Sequence, residues 1–358
     1  MFDLKNAEWR EFQLSSVFSI HSTLSSIDKI KLINGAGDYP YVTRSDRNNG
    51  IDCFVCEQPG YKRDKGNCIT VGLDTQTAFY QPSEFYTGQN IQILRSDKLN
   101  SSNAKFVLPL LKNLLSIFSW GSTGATLSRL RRSKILLPLG NDNNPDWIFM
   151  EQYVCECEKL QIDEYTAYAE KTLSDVGNVG KVLPLKDKAW KPFALSSIFM
   201  LETGKGKGLN HLKQAPEGIC YLGATNRNNG VLCYVNPEPQ LVQQGNGIAF
   251  IRNGEGSIGY SVYKAEPFIA SSDLTIGYSD KLNRYTGLFI TTVADTVRGK
   301  YSFNYKRSEK RLSKEFLNLP TDESGEPDWV YMEQYIKEIT HQQLNAYLHD
   351  KKIKRKPG

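Results

Sequence analysis

Apolar residues occur along the first half of the chain in short runs separated by polar turns. The runs cover residues 39–43, 51–56, 67–71, 78–80 and 91–94, and each is bounded by Gly, Pro, Asn or Asp. Runs of this length and composition are typical of β-strands. Apolar residues at helical spacing occupy 106–116, with a counterpart at 285–297. The pattern predicts an α+β module that has a compact mixed sheet and one packed helix.

A longer helical pattern begins after Pro145-Asp146 and returns after Pro327-Asp328. Both aspartates stand where an N-cap belongs, because a carboxylate there accepts bonds from the first free N–H groups of a helix. The first pattern extends to about Ser174. A helix of about 28 residues is ~42 Å long, which exceeds a normal domain helix and suggests a spacer.

The apolar stripe of each long helix is expected to pack against another element. We expect the two helices to pair as an antiparallel coiled coil with approximate twofold symmetry and one globular module at each end. In the alternative, each helix only caps its own domain. The residues expected at the coiled-coil or partner interface are Met150, Tyr153, Cys157, Leu160, Met332, Tyr335 and Ile339.

The two halves of the chain repeat each other. Residues 190–199 repeat 9–18, and 327–335 repeat 145–153, at a spacing of about 182 residues. This spacing far exceeds the ~20 to 50 residues of solenoid and propeller repeats, so we interpret it as a domain duplication. The predicted parts are domain 1 (1–144), a spacer helix (145–175), a linker (176–187), domain 2 (188–326), and a second spacer helix with a basic tail (327–358).

Composition agrees with two soluble globular domains. The chain has 358 residues, of which 40% are hydrophobic and 23% charged. The net charge of +5 permits a polyanionic partner without requiring one. No run approaches the ~20 apolar residues of a membrane helix, and the first five residues lack a signal-peptide pattern, so we expect a cytoplasmic protein without membrane partners.

The seven cysteines do not predict a metal site. Cys53 and Cys233 occupy equivalent positions and are expected to be buried strand thiols in a reducing compartment. Cys53 and Cys56 form a C-x-x-C pair with Cys68 nearby, but the second half retains only Cys233 and repeats no histidine with it. We therefore expect no zinc.

The sequence contains no recognisable catalytic motif. The Asn-Pro-Pro-Tyr motif of DNA methyltransferases is absent, and the glycine-rich residues 204–208 lack the Walker spacing. Glu156, Glu158 and Lys159 superficially suggest a nuclease, but they lie on the spacer helix and the second copy does not preserve them. We expect no catalytic residue and no cofactor in this chain. A catalytic triad that is assembled in space from residues far apart in the sequence is the alternative.

The repeated motifs carry a family resemblance. They are Trp-x-x-Phe-x-Leu-x-x-Val/Ile-Phe, Arg-Asn-Asn-Gly-Ile/Val, Gly-Asn-x-Ile and a terminal Leu-Pro. Both halves together resemble a specificity subunit of a type I restriction-modification system. The Pro-Asp-Trp-x-x-Met-Glu helices are most similar to the two-target subunits of type IIB systems. The glycine-poor loop at 22–26 departs from the second copy's glycine-rich loop.

The resemblance implies two target-recognition domains that read a bipartite, asymmetric sequence in double-stranded DNA. It also implies partners: methyltransferase (modification) subunits and a restriction or fused restriction-modification subunit, which supply adenine methylation and cleavage and use S-adenosylmethionine and Mg²⁺. A rod of ~42 Å would let two reading heads reach major-groove faces one helical turn, ~34 Å, apart.

The duplication supplies a filter for DNA contacts. If the two domains read different half-sites, residues shared by both copies serve the fold or bind phosphate, and residues that differ discriminate bases. The Asn-Asn-Gly sequences at 48–50 and 228–230 are therefore interpreted as turns in preference to adenine readers. The candidates for base readout are Arg44, Ser45, Asp46, Ser119, Trp120, Ser122, Thr123, Thr225, Asn226, Ser302, Asn304 and Tyr305.

Basic residues beside these positions are expected to contact phosphate. They follow the differing segments closely, and their substitution should weaken binding to all sequences and flatten its salt dependence. The phosphate candidates are Arg47, Arg129, Arg131, Arg132, Lys205, Lys207, Arg227, Lys306, Arg307, Lys310 and Arg311. A non-catalytic DNA reader is the leading hypothesis. A pseudo-symmetric adaptor that binds protein or glycan, and a self-contained enzyme, are the alternatives.

Overall fold

The computed structural model describes residues 3–33, 35–118, 126–177, 179–302 and 304–354. The chain divides into two compact units, unit 1 (residues 1–165) and unit 2 (residues 166–358). Within the described ranges, no helix is long and apolar enough to cross a membrane.

Unit 1 opens with a strand, a one-turn helix and a second strand, and closes with a strand and a long helix. Its elements are β1 (Trp9–Gln13), α1 (Leu14–Val17), β2 (Ser19–Ser22), β3 (Tyr39–Val42), β4 (Ile51–Val55), β5 (Cys68–Gly72), β6 (Ala78–Gln81), β7 (Tyr86–Thr87), β8 (Ile91–Arg95), α2 (Ser101–Leu115), α3 (Leu127–Arg132), β9 (Lys134–Pro138) and α4 (Trp147–Val176). The division between the units falls within α4.

Unit 2 repeats this order with one additional short strand, β14. Its elements are β10 (Trp190–Ala194), α5 (Leu195–Ile198), β11 (Met200–Thr203), β12 (Gln214–Leu222), β13 (Val231–Val235), β14 (Val242–Gln243), β15 (Gly247–Ile251), β16 (Ser261–Lys264), β17 (Phe268–Ala270), β18 (Leu274–Tyr278), α6 (Arg284–Ala294), α7 (Glu309–Leu312), β19 (Phe316–Pro320) and α8 (Trp329–Lys354). Short 3₁₀ segments lie at Lys29–Lys31, Asn48–Gly50, Leu185–Asp187, Leu209–His211, Asn228–Gly230 and Asp295–Lys300.

The strands of each unit form three sheets, where the sequence predicts a single mixed sheet. In unit 1 they are the antiparallel pair β1-β9, the four-stranded antiparallel sheet β2-β8-β5-β6, and β4-β3-β7, in which β3 and β7 are parallel. Unit 2 has β10-β19, β11-β18-β15-β16 and β13-β12-β17-β14. The predicted strands themselves are confirmed. Their division among sheets depends on pairings between strands far apart in sequence, which a local pattern does not encode.

The strand pattern follows from burial. In β5 all five residues are buried, as are all five in β15, because each is a central strand of its four-stranded sheet. Strands covered on both faces have continuous apolar runs in place of alternation. The helices α2 and α6 cover these sheets through Val107 and Leu111 and through Phe289 and Ile290, and so complete the main core of each unit.

The long helices begin as predicted. Asp146 Oδ1 accepts a bond from Phe149 N at 2.9 Å, and Asp328 Oδ1 accepts one from Tyr331 N at 2.9 Å, which confirms both N-caps. The first helix has 30 residues, close to the expected length of the spacer.

The first two turns of each long helix belong to the core of their own unit. Met150 and Met332 are fully buried, and Tyr153 and Tyr335 pack edge-on against Phe106 and Phe289. Met150 and Met332 therefore belong to the core of their own unit, and the prediction that they lie at a partner interface is wrong. Tyr153 and Tyr335 are half-buried, and their assignment to that interface stays a prediction. The helical period alone does not say which neighbour an apolar stripe contacts. Cys157 is half-buried, and Leu160 and Ile339 are each 37% exposed.

Candidate nucleic-acid interface

The repeated Asn-Asn-Gly sequences form turns, as predicted. Asn48 and Asn49 have φ of 49° and 57°, and Asn228 and Asn229 have φ of 48° and 50°. Asparagine tolerates this left-handed region better than other residues with a Cβ. Asn49 Nδ2 donates to the carbonyl of Tyr80 at 2.9 Å, and Asn229 Nδ2 donates to that of Tyr263 at 3.1 Å. These amides thus hold the backbone in both units.

In unit 1, the loop between β3 and the Asn-Asn-Gly turn contains the candidate base readers Arg44, Ser45 and Asp46. Arg44 forms an ion pair with Asp74, which also accepts a bond from Asn90 Nδ2 at 3.2 Å. Asp46 is exposed. This loop is therefore fixed against the turn that joins β5 to β6, and it presents a guanidinium group and a carboxylate at the surface.

In unit 2, the corresponding loop is held by the connection between β15 and β16. Asn226 N donates to Ser257 Oγ at 3.3 Å, and Ser257 Oγ donates back to Asn226 Oδ1 at 3.4 Å. A Cβ added to Gly254 would lie 2.7 Å from the Ala224 carbonyl oxygen, so the two loops touch along their backbones. Thr225 Oγ1 accepts a bond from Arg227 N at 3.1 Å, and Arg227 is exposed.

These supporting connections were not predicted from the sequence. Residues 73–77 join β5 to β6, and residues 252–260 join β15 to β16, so the two copies differ in length as well as in composition here. A comparison of the two copies that counted insertions as well as substitutions would have identified both connections. Asp74 in unit 1 and Ser257 in unit 2 are the residues that contact the predicted readers.

A second group of candidates lies between Ser302 and Arg311 in unit 2. The Arg298 guanidinium donates to Tyr260 Oη at 2.5 Å, and this joins the segment to the 252–260 connection. Tyr301 and Tyr305 stack with their ring centroids 6.1 Å apart and an interplanar angle of 15°. The Arg311 guanidinium carbon lies 3.8 Å from the Tyr305 ring centroid. Tyr305 is 49% exposed and Arg311 is exposed, so the outer end of this stack faces solvent.

Arg307 is a correction to the predicted phosphate contacts, because its side chain is fully buried. Its Nε donates to Glu315 Oε2 at 3.0 Å, its Nη2 pairs with Glu315 Oε1, and its Nη1 donates to the Gly259 carbonyl at 3.3 Å. Basic residues are nearly always on the surface unless they are paired, and no sequence pattern indicates that Glu315, eight positions away, is the partner. Tyr301 Oη donates to the same carboxylate at 2.5 Å. Burial, and then this hydrogen bond, raise the pKa of Tyr301 far above its usual value, so the phenol stays protonated.

The other basic candidates among the described residues have exposed side chains. Several of them also make local contacts. Arg131 donates from Nε and Nη2 to the Ile20 carbonyl, at 3.2 and 2.6 Å, so it anchors α3 to β2 as well. Lys205 and Lys207 face Glu202 and Glu238 at 3.8 and 3.7 Å. The exposed set is Arg47, Arg129, Arg131, Arg132, Lys205, Lys207, Arg227, Lys306, Lys310 and Arg311.

Four candidate base readers, Ser119, Trp120, Ser122 and Thr123, lie outside the described residues. The remaining candidates in unit 2, Ser302 and Asn304, are both exposed. Ser302 pairs with Tyr305 through two backbone hydrogen bonds of 3.2 and 3.0 Å, so its short polar side chain lies close to the aromatic stack.

The family of the chain follows from comparison with known proteins. The family model for the type I restriction modification DNA specificity domain matches twice, over residues 6–165 and 187–348. The chain belongs to this family. The type II restriction enzyme BgcI specificity subunit S.BcgI of Heyndrickxia coagulans is 27% identical over 335 residues, which cover 92% of this chain and 94% of the relative. The S subunit of a type I restriction-modification system from M. genitalium has a similar fold, with a TM-score of 0.58 and 17% identity over 98% of this chain and 94% of that one.

The chain is thus a specificity subunit with two target-recognition domains, one in each unit, and the resemblance that the motifs indicated is confirmed. Specificity subunits have a non-catalytic role in restriction-modification complexes. In the part of this specificity subunit that the structure describes, no group of three or more His, Cys, Asp or Glu side chains is placed to hold a metal ion.

The opening loops of the two target-recognition domains, which follow β2 and β11, are held in place by different interactions. In unit 1, Asp64 Oδ2 accepts bonds from Thr23 Oγ1 at 2.6 Å and Leu24 N at 3.1 Å. In unit 2, Gln243 Oε1 accepts a bond from Lys205 N at 3.4 Å, and Gly206 N donates to the Ala270 carbonyl at 2.7 Å. A Cβ on Gly206 would lie 2.5 Å from that oxygen, so the glycines serve close packing. Hydroxyl groups therefore replace glycines in the first copy, which explains its departure from the pattern.

Proposed function

We propose that each target-recognition domain reads one half of a bipartite, asymmetric sequence in double-stranded DNA. The observation that supports this proposal is the contrast between scaffold and loops. The four-stranded antiparallel sheet, the helix caps and the Asn-Asn-Gly turns recur in both units, whereas the loops that follow β3 and β12 differ in sequence and their supporting connections differ in length. A repeated scaffold that carries two different polar surfaces is suited to reading two different sequences.

The chemistry of these surfaces suits base edges. Arg44 and Asp46 in unit 1, and Thr225 and Asn226 in unit 2, provide donors and acceptors of the kinds that distinguish base pairs in the major groove. Exposed arginines and lysines lie near them along the chain and can neutralise phosphates. Phosphate contacts would position each domain, and the differing side chains would select the bases.

The partners would be methyltransferase subunits, with a restriction subunit where the system also cleaves. S-adenosylmethionine and Mg²⁺ would be bound by these partners, and this chain would determine where they act. Residues of this chain would take no part in the steps of methyl transfer or cleavage.

Methylome sequencing tests the proposal directly. A host that expresses this chain with its neighbouring methyltransferase gene is compared with a host that lacks only this chain. We expect a bipartite, asymmetric methylated motif that disappears with the chain. An unchanged methylome would contradict the proposal and would favour an adaptor that binds protein or glycan.

A further inference from the structure

Unit 2 encloses an ion pair at a position where unit 1 has a serine. The Glu315 carbonyl accepts a bond from Leu195 N at 2.8 Å, and the Ser133 carbonyl accepts the equivalent bond from Leu14 N at 2.7 Å. Glu315 and Ser133 are therefore structural counterparts. The Glu315 side chain is 2% exposed and its partner Arg307 is fully buried. Because the copies differ here, this ion pair does not belong to the scaffold that both units share.

The ion pair lies beneath the exposed aromatic stack. Glu315 accepts the Tyr301 hydroxyl at 2.5 Å, and the Arg307 guanidinium carbon lies 5.7 Å from the centroid of the Tyr301 ring. Tyr305 stacks on Tyr301, and Arg311 stacks on Tyr305. A continuous series of contacts thus leads from a buried carboxylate to an exposed guanidinium group.

These contacts restrict the orientation of Arg311. The Arg311 guanidinium carbon lies over the Tyr305 ring, and Arg311 Nη1 donates to the Lys306 carbonyl at 2.7 Å. By the spacing of Glu315 and Ser133, the counterpart of Arg311 in unit 1 is Arg129, so the arginine itself is shared by both copies. The support of Arg311 is not shared, because Ser133 has no carboxylate that could accept the bond that Tyr301 donates to Glu315. A guanidinium that is held in place in a way specific to one unit is suited to bidentate readout of guanine O6 and N7, since phosphate contacts carry no sequence information.

We propose that Arg311 reads a guanine in the half-site of unit 2, and that Glu315 is the positioning residue that fixes this readout through Tyr301 and Tyr305. The inference rests on the proposed function, since it requires that unit 2 reads DNA. It adds the identity of one base and a buried residue that contacts no DNA.

The test uses the complex of this chain with its methyltransferase subunit and duplexes that carry the wild-type motif. Methylation rates are compared between the motif and its single base-pair variants. For Arg311→Lys, we expect discrimination at one G·C pair to fall by about 5- to 150-fold, the range that one bidentate contact supplies. Tyr305→Ala and Glu315→Gln should relax discrimination at that same pair while the other half-site keeps its full discrimination.

One control and one of the test variants separate positioning from general damage. Lys310→Gln removes a neighbouring exposed charge and should slow methylation of all duplexes alike without relaxing any position. Tyr305→Ala alters a half-exposed side chain, so it tests the stack even if Glu315→Gln does not fold.

The inference is overturned if Arg311→Lys relaxes no G·C pair, or if the Tyr305 variant relaxes different positions or both half-sites equally. If the wild-type complex shows no sequence preference at all, the proposed function itself fails, which is a different result.

Discussion

At the scale of single residues, the positions shared by both copies hold the fold. Trp9 Nε1 donates to the Leu4 carbonyl, and Trp190 Nε1 donates to the Leu185 carbonyl, both at 3.0 Å. The rings stack on Phe106 and Phe289 at interplanar angles of 21° in both units. Differing residues, such as Arg44 and Asn226, lie at the surface instead.

A substitution of Asn49 tests whether this residue has a structural role or reads a base. Asn49→Gly keeps the positive φ but removes the bond from Nδ2 to the Tyr80 carbonyl. We expect the free energy of unfolding to fall by about 1 kcal/mol, the net value of one hydrogen bond, with the methylated motif unchanged. Denaturant titration and methylome sequencing give the two readouts. A motif that loses an adenine would instead assign base readout to Asn49.

At the scale of elements, one short motif explains how the packed helices start. Asn100 and Asn283 cap α2 and α6, and each forms a capping box with the residue three positions on. Their Nδ2 groups also donate to Glu151 and Glu333 of the long helices, at 2.9 and 2.8 Å. The repeated Leu-Asn and Met-Glu sequences are therefore two sides of one contact. The cap also explains why α2 begins at Ser101, five residues before the predicted start.

Asn100→Ala removes both functions of the cap. We expect it to lower the free energy of unfolding of unit 1 by about 1–2 kcal/mol, since the cap contributes most of that and the bond to Glu151 the remainder. Asn113→Ala, on the exposed face of the same helix, should change stability by less than about 0.5 kcal/mol. Chemical denaturation compares the two. Equal effects would show that the capping geometry is not what stabilises α2.

The predicted helices and strands are local features, and they agree with the structure for that reason. Asp146 and Asp328 are followed by helices because a cap and an apolar period are both encoded within one segment. Sheet membership and the neighbours of Met150 and Met332 depend on contacts distant in sequence, so periodicity did not reveal them. The same reason explains Arg307, whose buried partner is defined only by the folded segment.

For the whole molecule, positive charge should determine the affinity for DNA but not which DNA sequence is recognised. Replacing Arg129 and Arg132 by Gln lowers the net charge from +5 to +3. We expect weaker binding to all duplexes and a salt dependence that is flatter by about 0.9 for each lost phosphate contact. Fluorescence anisotropy at several salt concentrations measures this slope.

The matched control replaces Lys159 and Lys171 on α4, which changes the net charge by the same amount. We expect its salt slope to equal that of the wild type. If both pairs flatten the slope equally, then net charge acts in place of specific phosphate contacts.

The duplication, the strands, the helix caps, the Asn-Asn-Gly turns and the family could be predicted from the sequence alone, because each of these is a local pattern or a repeat of one. The folded structure was needed to show which polar residues share a surface, that Arg307 is buried against Glu315, and that Asp74 and Ser257 support the candidate readers. Side-chain partners far apart in the chain meet only after the sheets have formed, so their roles depend on packing and not on any local pattern.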